Sequence, residues 1–324
     1  MLAKHLIVHI GWPKTGSTAL QSLCKNKTKK LANHGFAYFA VGQTGLSCGE
    51  VSYALEKDQD VDTFAHDFDR WLESCKQHSV IISSEGFAGL APERVMSWLQ
   101  PKRWQKISIV AYIRPQAEYL EGWYKQYIKW GSKFSSKAFL KAPITPWDKA
   151  DYLKHLLEWE EWCKNQSNSA LRIRIFQPTE LLNDNIGSDF FNALDADLRK
   201  LQSPNLNVSP CKELIDLYLQ LPKIDRLQQI NRALVASGLE GIVGTGDIFP
   251  DHIVQGIEDR FASSNEELRK RFFPNRDVLF APNLNKPKKA VDIEALASLL
   301  IDTVAEMRGP QAAEMVKAAL KPHI

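Results

Sequence analysis

Cysteine is scarce: Cys24, Cys48, Cys75, Cys163 and Cys211 are the five in 324 residues. Their number is odd, their spacing wide, and no C-x-x-C pair occurs. That argues against a disulfide framework and a thiolate zinc site, and fits a reducing cytoplasm. Long apolar runs are also missing. The first, Leu6 to Ile10, ends before Pro13-Lys14, too short for a signal peptide or a membrane span. No later segment reaches the roughly 18 uninterrupted apolar residues of a transmembrane helix. Neither sign of charge dominates: 41 Lys+Arg oppose 38 Asp+Glu, a net +3. That is too small an excess for a nucleic-acid coat protein, yet it allows a local basic pocket for an anionic small molecule. There is no internal repeat, no carboxylate cluster that suggests a metal and no composition shift that marks a domain boundary. Oligomeric state is not legible.

What is present is ordinary globular composition, 44% hydrophobic and 24% charged. A chain of this length buries roughly three quarters of its unfolded surface and needs no covalent staple. Short β-branched runs alternate with helical patterns. Leu6–Ile10, Val80–Ile82, Ile107–Ile113 and Leu171–Phe176 read as strands. A helix is expected after the first, through about Leu31, another after Arg114-Pro115, and helical Thr179–Leu182 after the fourth strand. Buried strands alternating with helices predict an α/β fold, a central, mainly parallel sheet flanked by helices. The later part reads as mostly helical: Tyr152–Cys163, Glu213–Leu221, Ile224–Val235, and Asp292–Lys321 as two helices broken at Gly309-Pro310. Residues 1–324 are taken as one domain, with an α/β core over 1–206 and a helical extension over 207–324. Gly131–Trp147, rich in Ser, Lys and Pro, reads as a long mobile loop.

In a parallel sheet, ligands bind beyond the carboxyl ends of the strands, so the loop after the first strand counts most. It reads Pro13-Lys14-Thr15-Gly16-Ser17-Thr18 and leads straight into a helix. Gly16 allows a tight turn, the helix end presents N–H groups, Lys14 adds a cation, and Ser17 and Thr18 add hydroxyls. Together these suit a phosphate. The spacing is not that of G-x-x-x-x-G-K-[ST], because Lys14 precedes Gly16. The plain alternative is a helix N-capped by Thr15 or Ser17.

Pro13–Thr18 directly after the first strand resembles the phosphosulfate loop of sulfotransferases, which use 3′-phosphoadenosine 5′-phosphosulfate (PAPS) as sulfuryl donor. Those enzymes also carry a strand ending in Arg, with a Ser eight residues later, both holding the donor's 3′-phosphate. Ile109–Arg114 fits the strand and the Arg, but Gly122 stands where the Ser would be. Leu120–Gln126, Asp151–Trp162, Arg172–Phe176, Asn207-Val208-Ser209 and Asn265–Pro274 are similar to bacterial members of that group, so the resemblance extends to about Phe280. It implies a P-loop NTPase-like sulfotransferase fold and PAPS as co-substrate, with no metal required.

The resemblance implies donor contacts from Lys14, Thr15, Gly16, Ser17, Thr18 and Arg114, with the second 3′-phosphate ligand in doubt at Gly122. Lys14 would meet the charge growing on the leaving phosphate. The acceptor hydroxyl needs a base. Glu85, at the end of the second expected strand, is one candidate and Glu50 the main rival; His34 and His66 rank below them. Ser132 and Ser135 are unsupported substitutes for the missing Ser. Tyr119, Trp123, Tyr127 and Trp130 share one helix face, as a core stripe rather than a sugar-stacking surface. The basic runs Lys25–Lys30 and Lys286–Lys289 read as solvated faces. The expected reaction is sulfuryl transfer to a hydroxyl, a carbohydrate being one guess. A non-catalytic nucleotide-binding protein of the same fold and a nucleotide-dependent kinase are the alternatives.

Overall fold

A computed structural model describes residues 4–42, 45–198, 200–204, 209–244, 248–281 and 291–323. Asn207-Val208 and the Lys286–Lys289 run lie outside the described residues. The chain divides into two compact units: the first comprises 1–114, 151–207 and 263–280, the second 115–150, 208–262 and 281–324.

The first unit is α/β. Its five-stranded sheet has the order β2-β3-β1-β4-β5, with β1 His5–His9, β2 Phe36–Phe39, β3 Ser79–Ser83, β4 Lys106–Ile113 and β5 Ser169–Ile175. Every pairing is parallel. β1 and β3 are buried along their whole length, as is β4 beyond Lys106. That explains their continuous apolar runs. Several polar groups inside this layer pair with one another, although His9 Nε2 is buried without a hydrogen-bond partner among the described residues. His5 Nε2 meets Ser108 Oγ at 2.9 Å, and His9 Nδ1 meets Ser83 Oγ at 2.8 Å. Gln21 Nε2 donates to the same Ser83 hydroxyl at 3.0 Å.

β2 was not expected from the sequence. It is a four-residue edge strand in which Phe39 alone is fully buried, so it carries neither a long apolar run nor a clean alternation. β5 differs from expectation in the opposite sense: it is the other edge, mostly half-buried, and it carries Arg172 and Arg174. The expected helix through Leu31 is broken at Lys27 into Ser17–Asn26 and Thr28–Asn33. Thr179 and Glu180 lie in a turn rather than a helix.

A buried polar cluster ties β4, β5 and the helix Ile186–Ala193 together. Asp189 is fully buried. It accepts from Tyr112 Oη at 2.8 Å, Arg174 Nε at 3.0 Å and the Leu182 N–H at 3.2 Å. Burial and the adjacent Asp189 carboxylate push the Tyr112 hydroxyl well above its ordinary pKa, so it remains a donor. Removing one partner of such a cluster leaves the others unsatisfied. Asp189→Ala is expected to cost about 3 kcal/mol of folding stability, measured by urea denaturation. An unchanged urea midpoint would show that the cluster is dispensable.

The second unit is helical among its described residues. Gln116–Lys129 is its chemically unusual helix. Lys125 and Glu121 form a buried i,i+4 pair at 3.1 Å. Lys125 also donates to the Gly244 carbonyl at 2.9 Å, and Glu121 accepts from the Ile248 N–H at 3.1 Å. Both charges are thus compensated by backbone groups, a structural use of an ion pair. The stretch Gly131–Trp147, expected as a long mobile loop, contains the helix Ser136–Lys141 and the first residue of Trp147–Ala150. Ser135 caps the former, accepting from the Ala138 N–H at 3.2 Å. Gly309 separates Ile293–Arg308 from Pro310–Ala319, where the sequence places the break.

Candidate functional site

The strand order has a physical consequence. β1 lies between β3 and β4; the chain leaving β1 runs toward β2 on one side, and the chain leaving β4 runs toward β5 on the other. Connections that diverge from adjacent parallel strands open a crevice at their carboxyl ends. The loops carrying Lys14 and Arg114 are the two that diverge.

The Lys14 loop is conformationally costly. Lys14 itself adopts φ +68° and Gly16 φ +80°. A non-glycine residue in the left-handed region costs roughly 1–2 kcal/mol and persists only where its surroundings enforce it. Here Arg114 Nη1 donates to the Lys14 carbonyl oxygen at 2.7 Å. Thr15 Oγ1 donates to the Trp12 carbonyl at 2.6 Å, and Ser17 Oγ lies 3.3 Å from that same oxygen. The helix Ser17–Asn26 then starts from Gly16 with no side chain capping it. Thr15 and Ser17 therefore do not act as the N-cap that the plain reading of this loop expects. With no side-chain cap, the first turn offers backbone N–H donors of the kind that suit an anion.

Gly16 is required twice over. A Cβ there would lie 2.6 Å from Phe176 Cε2 and 3.0 Å from Ile186 Cδ1. Gly11 is equally confined, by Ser17 Oγ at 2.5 Å and His9 Cε1 at 2.8 Å. Gly16→Ala adds a steric clash to an unfavourable φ. It is expected to cost about 2–4 kcal/mol, read as a lower urea midpoint. Wild-type stability in that variant would mean the loop has room that the geometry denies.

Lys14, Glu85, Ser17 and Arg114 come together. Burial lowers the Lys14 pKa and the Arg114 guanidinium lowers it further, while Glu85 pulls it back up. Burial raises the Glu85 carboxyl above the ordinary carboxylate range, opposed by the Lys14 ammonium and by a hydrogen bond from Ser17. Each shift comes mainly from desolvation, and each group moderates the other's. Glu85 follows β3, the third strand of the sheet once the unforeseen β2 is counted. It is held there by its neighbours: the Ser84 N–H donates to the His9 carbonyl at 3.2 Å, and Ser84 Oγ donates to Ser52 Oγ at 3.0 Å.

The other candidates fall elsewhere. Glu50 is exposed in the first turn of Gly49–Lys57, its carboxylate filling the space beside Gly42. It is not among the neighbours that shift Lys14 or Glu85. Gly122 sits in the middle of Gln116–Lys129, in the second unit. His34 is a surface residue whose Nδ1 lies 2.9 Å from the Lys30 carbonyl, and His66 is exposed. Lys25–Lys30 are exposed as well. The aromatic stripe is only partly core: Tyr119 is fully buried, whereas Trp130 is 56% exposed and its ring centroid lies 5.4 Å from that of Tyr127. No group of three or more His, Cys, Asp or Glu that could hold a metal occurs among the described residues. None of the described helices is long and apolar enough to cross a membrane.

Two residues of this region were not picked out from the sequence. Phe176, directly after β5, touches the Gly16 position and lies beside Arg114. His9, at the tip of β1, lies fully buried beneath the loop, and burial drives its pKa down to about 3. It is therefore neutral and packs edge-on against Tyr112 and Phe190. Nothing in the local pattern distinguishes either from ordinary strand residues.

Comparison with known proteins gives a distant likeness. No family model matches the chain. An uncharacterized protein of Archaeoglobus fulgidus is 23% identical over 206 residues, covering 61% of this chain. The matched region spans 55% of that relative's length, and its description carries no activity.

Proposed function

We propose that the chain is a sulfotransferase that moves a sulfuryl group from PAPS to a hydroxyl acceptor, on a P-loop NTPase-like sulfotransferase fold. The observation that carries the reading is the meeting of Lys14 and Arg114 at two diverging strand ends, with a desolvated Glu85 beside them. This arrangement supplies a cation, a guanidinium fork, uncapped helix donors and a carboxylate, which is what an anionic donor and a hydroxyl acceptor require.

In this reading Lys14 and the first-turn N–H groups of Ser17 and Thr18 hold the 5′-phosphosulfate, and Arg114 holds the 3′-phosphate. Glu85 takes the acceptor's proton as the acceptor oxygen bonds to sulfur. The bond from sulfur to the bridging oxygen breaks, and its electron pair stays on the 5′-phosphate facing Lys14. The raised affinity of Glu85 for a proton makes it a better base than an exposed carboxylate. Ser17 orients that carboxyl through its hydrogen bond.

Incubation with sulfur-labelled PAPS and a panel of hydroxyl acceptors, carbohydrates included, tests the proposal. Labelled product is expected with wild type and not with Lys14→Ala. Saturable binding of PAPS without transfer to any acceptor would favour a non-catalytic nucleotide-binding protein, a reading that the glycine at position 122 keeps in play. Absence of binding would overturn both.

A further inference from the structure

Arg114 is held from two directions. Its Nη1 donates to the Lys14 carbonyl at 2.7 Å, and its guanidinium carbon lies 5.8 Å from the centre of the Phe176 ring. The same ring occupies the space where residue 16 would otherwise carry a side chain, its Cε2 lying 2.6 Å from that position. Phe176 is itself fixed by its N–H, which donates to the Ile113 carbonyl at 2.7 Å, the residue just before Arg114. One aromatic ring thus touches the loop after β1 and the cation after β4, and hangs from the end of β5.

We infer that Phe176 is a positioning residue for anion binding. It holds the Arg114 guanidinium in place by cation–π attraction and props the loop at Gly16. A planar guanidinium suits this task, because it can rest on an aromatic face while its N–H groups point sideways to an oxyanion. Without the ring, Arg114 regains rotamer freedom, and anion binding must then order it. An aliphatic side chain of similar volume fills the space yet provides no ring quadrupole. The inference rests on the proposed donor site; the contact between Phe176 and Arg114 does not.

The test separates the two. The Arg114 side-chain signals of the ligand-free protein, observed by NMR, report ring-current shifts from Phe176 whatever the protein binds. Binding of 3′-phosphoadenosine 5′-phosphate, measured by calorimetry, reports the functional part. Phe176→Leu is expected to abolish the ring-current shift and weaken binding roughly 3- to 30-fold, with Phe176→Tyr near wild type. In an Arg114→Ala background, the same Phe176→Leu change should weaken binding far less, since the two residues act as a unit. Should the leucine variant fail to fold, Phe176→Met retains the volume without the ring and takes its place. A wild-type protein that does not bind the nucleotide would sink the donor reading and leave the ring-current result to judge the contact. Nucleotide binding that is equal in wild type and Phe176→Leu, or equally weakened by Phe176→Leu in both backgrounds, would overturn the positioning role.

Discussion

Glu85→Gln is expected to lower turnover by ~10²–10⁴-fold while leaving nucleotide binding nearly intact, because the amide retains the shape but accepts no proton. The pH dependence gives a second signature. A base works in its deprotonated form, and burial has raised this carboxyl above the ordinary range. The rising limb of kcat against pH should therefore lie above the usual carboxylate pKa and vanish in the amide variant. Stability should show the complementary trend. A group whose folded-state pKa is raised favours folding at pH below its unfolded value, and that contribution is lost as pH rises through the folded one. The Tm difference between Glu85→Gln and wild type should thus move in favour of the variant as pH increases. Equal turnover in the two proteins would remove Glu85 from catalysis.

Lys14→Met should reduce turnover by ~10²–10³-fold, the scale for removing one preorganised group that meets developing negative charge. The fold should barely notice. Desolvation has lowered the Lys14 pKa, so its contribution to stability is unfavourable at low pH and recovers as pH rises through the folded value toward the unfolded one. The variant's urea midpoint is expected to equal or exceed wild type at mildly acidic pH. In wild type the Lys14 ammonium also holds the Glu85 pKa down. Any residual activity of Lys14→Met should accordingly show its rising limb at higher pH than wild type. A large loss of stability together with unchanged residual kinetics would recast Lys14 as a structural lysine.

The legible part of this protein follows from local physics. Strands buried on both faces must be apolar throughout, so β1, β3 and β4 announce themselves in the runs Leu6–Ile10, Val80–Ile82 and Ile107–Ile113. A short edge strand needs no such run, and β2 left little trace. The Gly309-Pro310 break was legible for an equally local reason, since proline fits the first turn of a helix but not its interior. The helix inside Gly131–Trp147 was missed because Ser136–Lys141 is a single short turn-and-a-half amid polar residues.

The candidate site divides in the same way. Lys14, Thr15, Gly16, Ser17 and Thr18 are contiguous, so their proximity is fixed by chain connectivity, and the glycine marks the turn. By itself the sequence determined an α/β chain with a polar, glycine-bearing loop between its first strand and helix. Which of the distant residues join that loop was decided by tertiary structure. Glu85 and Arg114 arrive because β3 and β4 flank β1 in a parallel sheet, Glu50 remains exposed on its helix, and Phe176 enters from the edge. Strand order sets these meetings, and strand order is chosen by the packing of whole buried faces, a sum over many weak contacts that no short stretch of residues encodes.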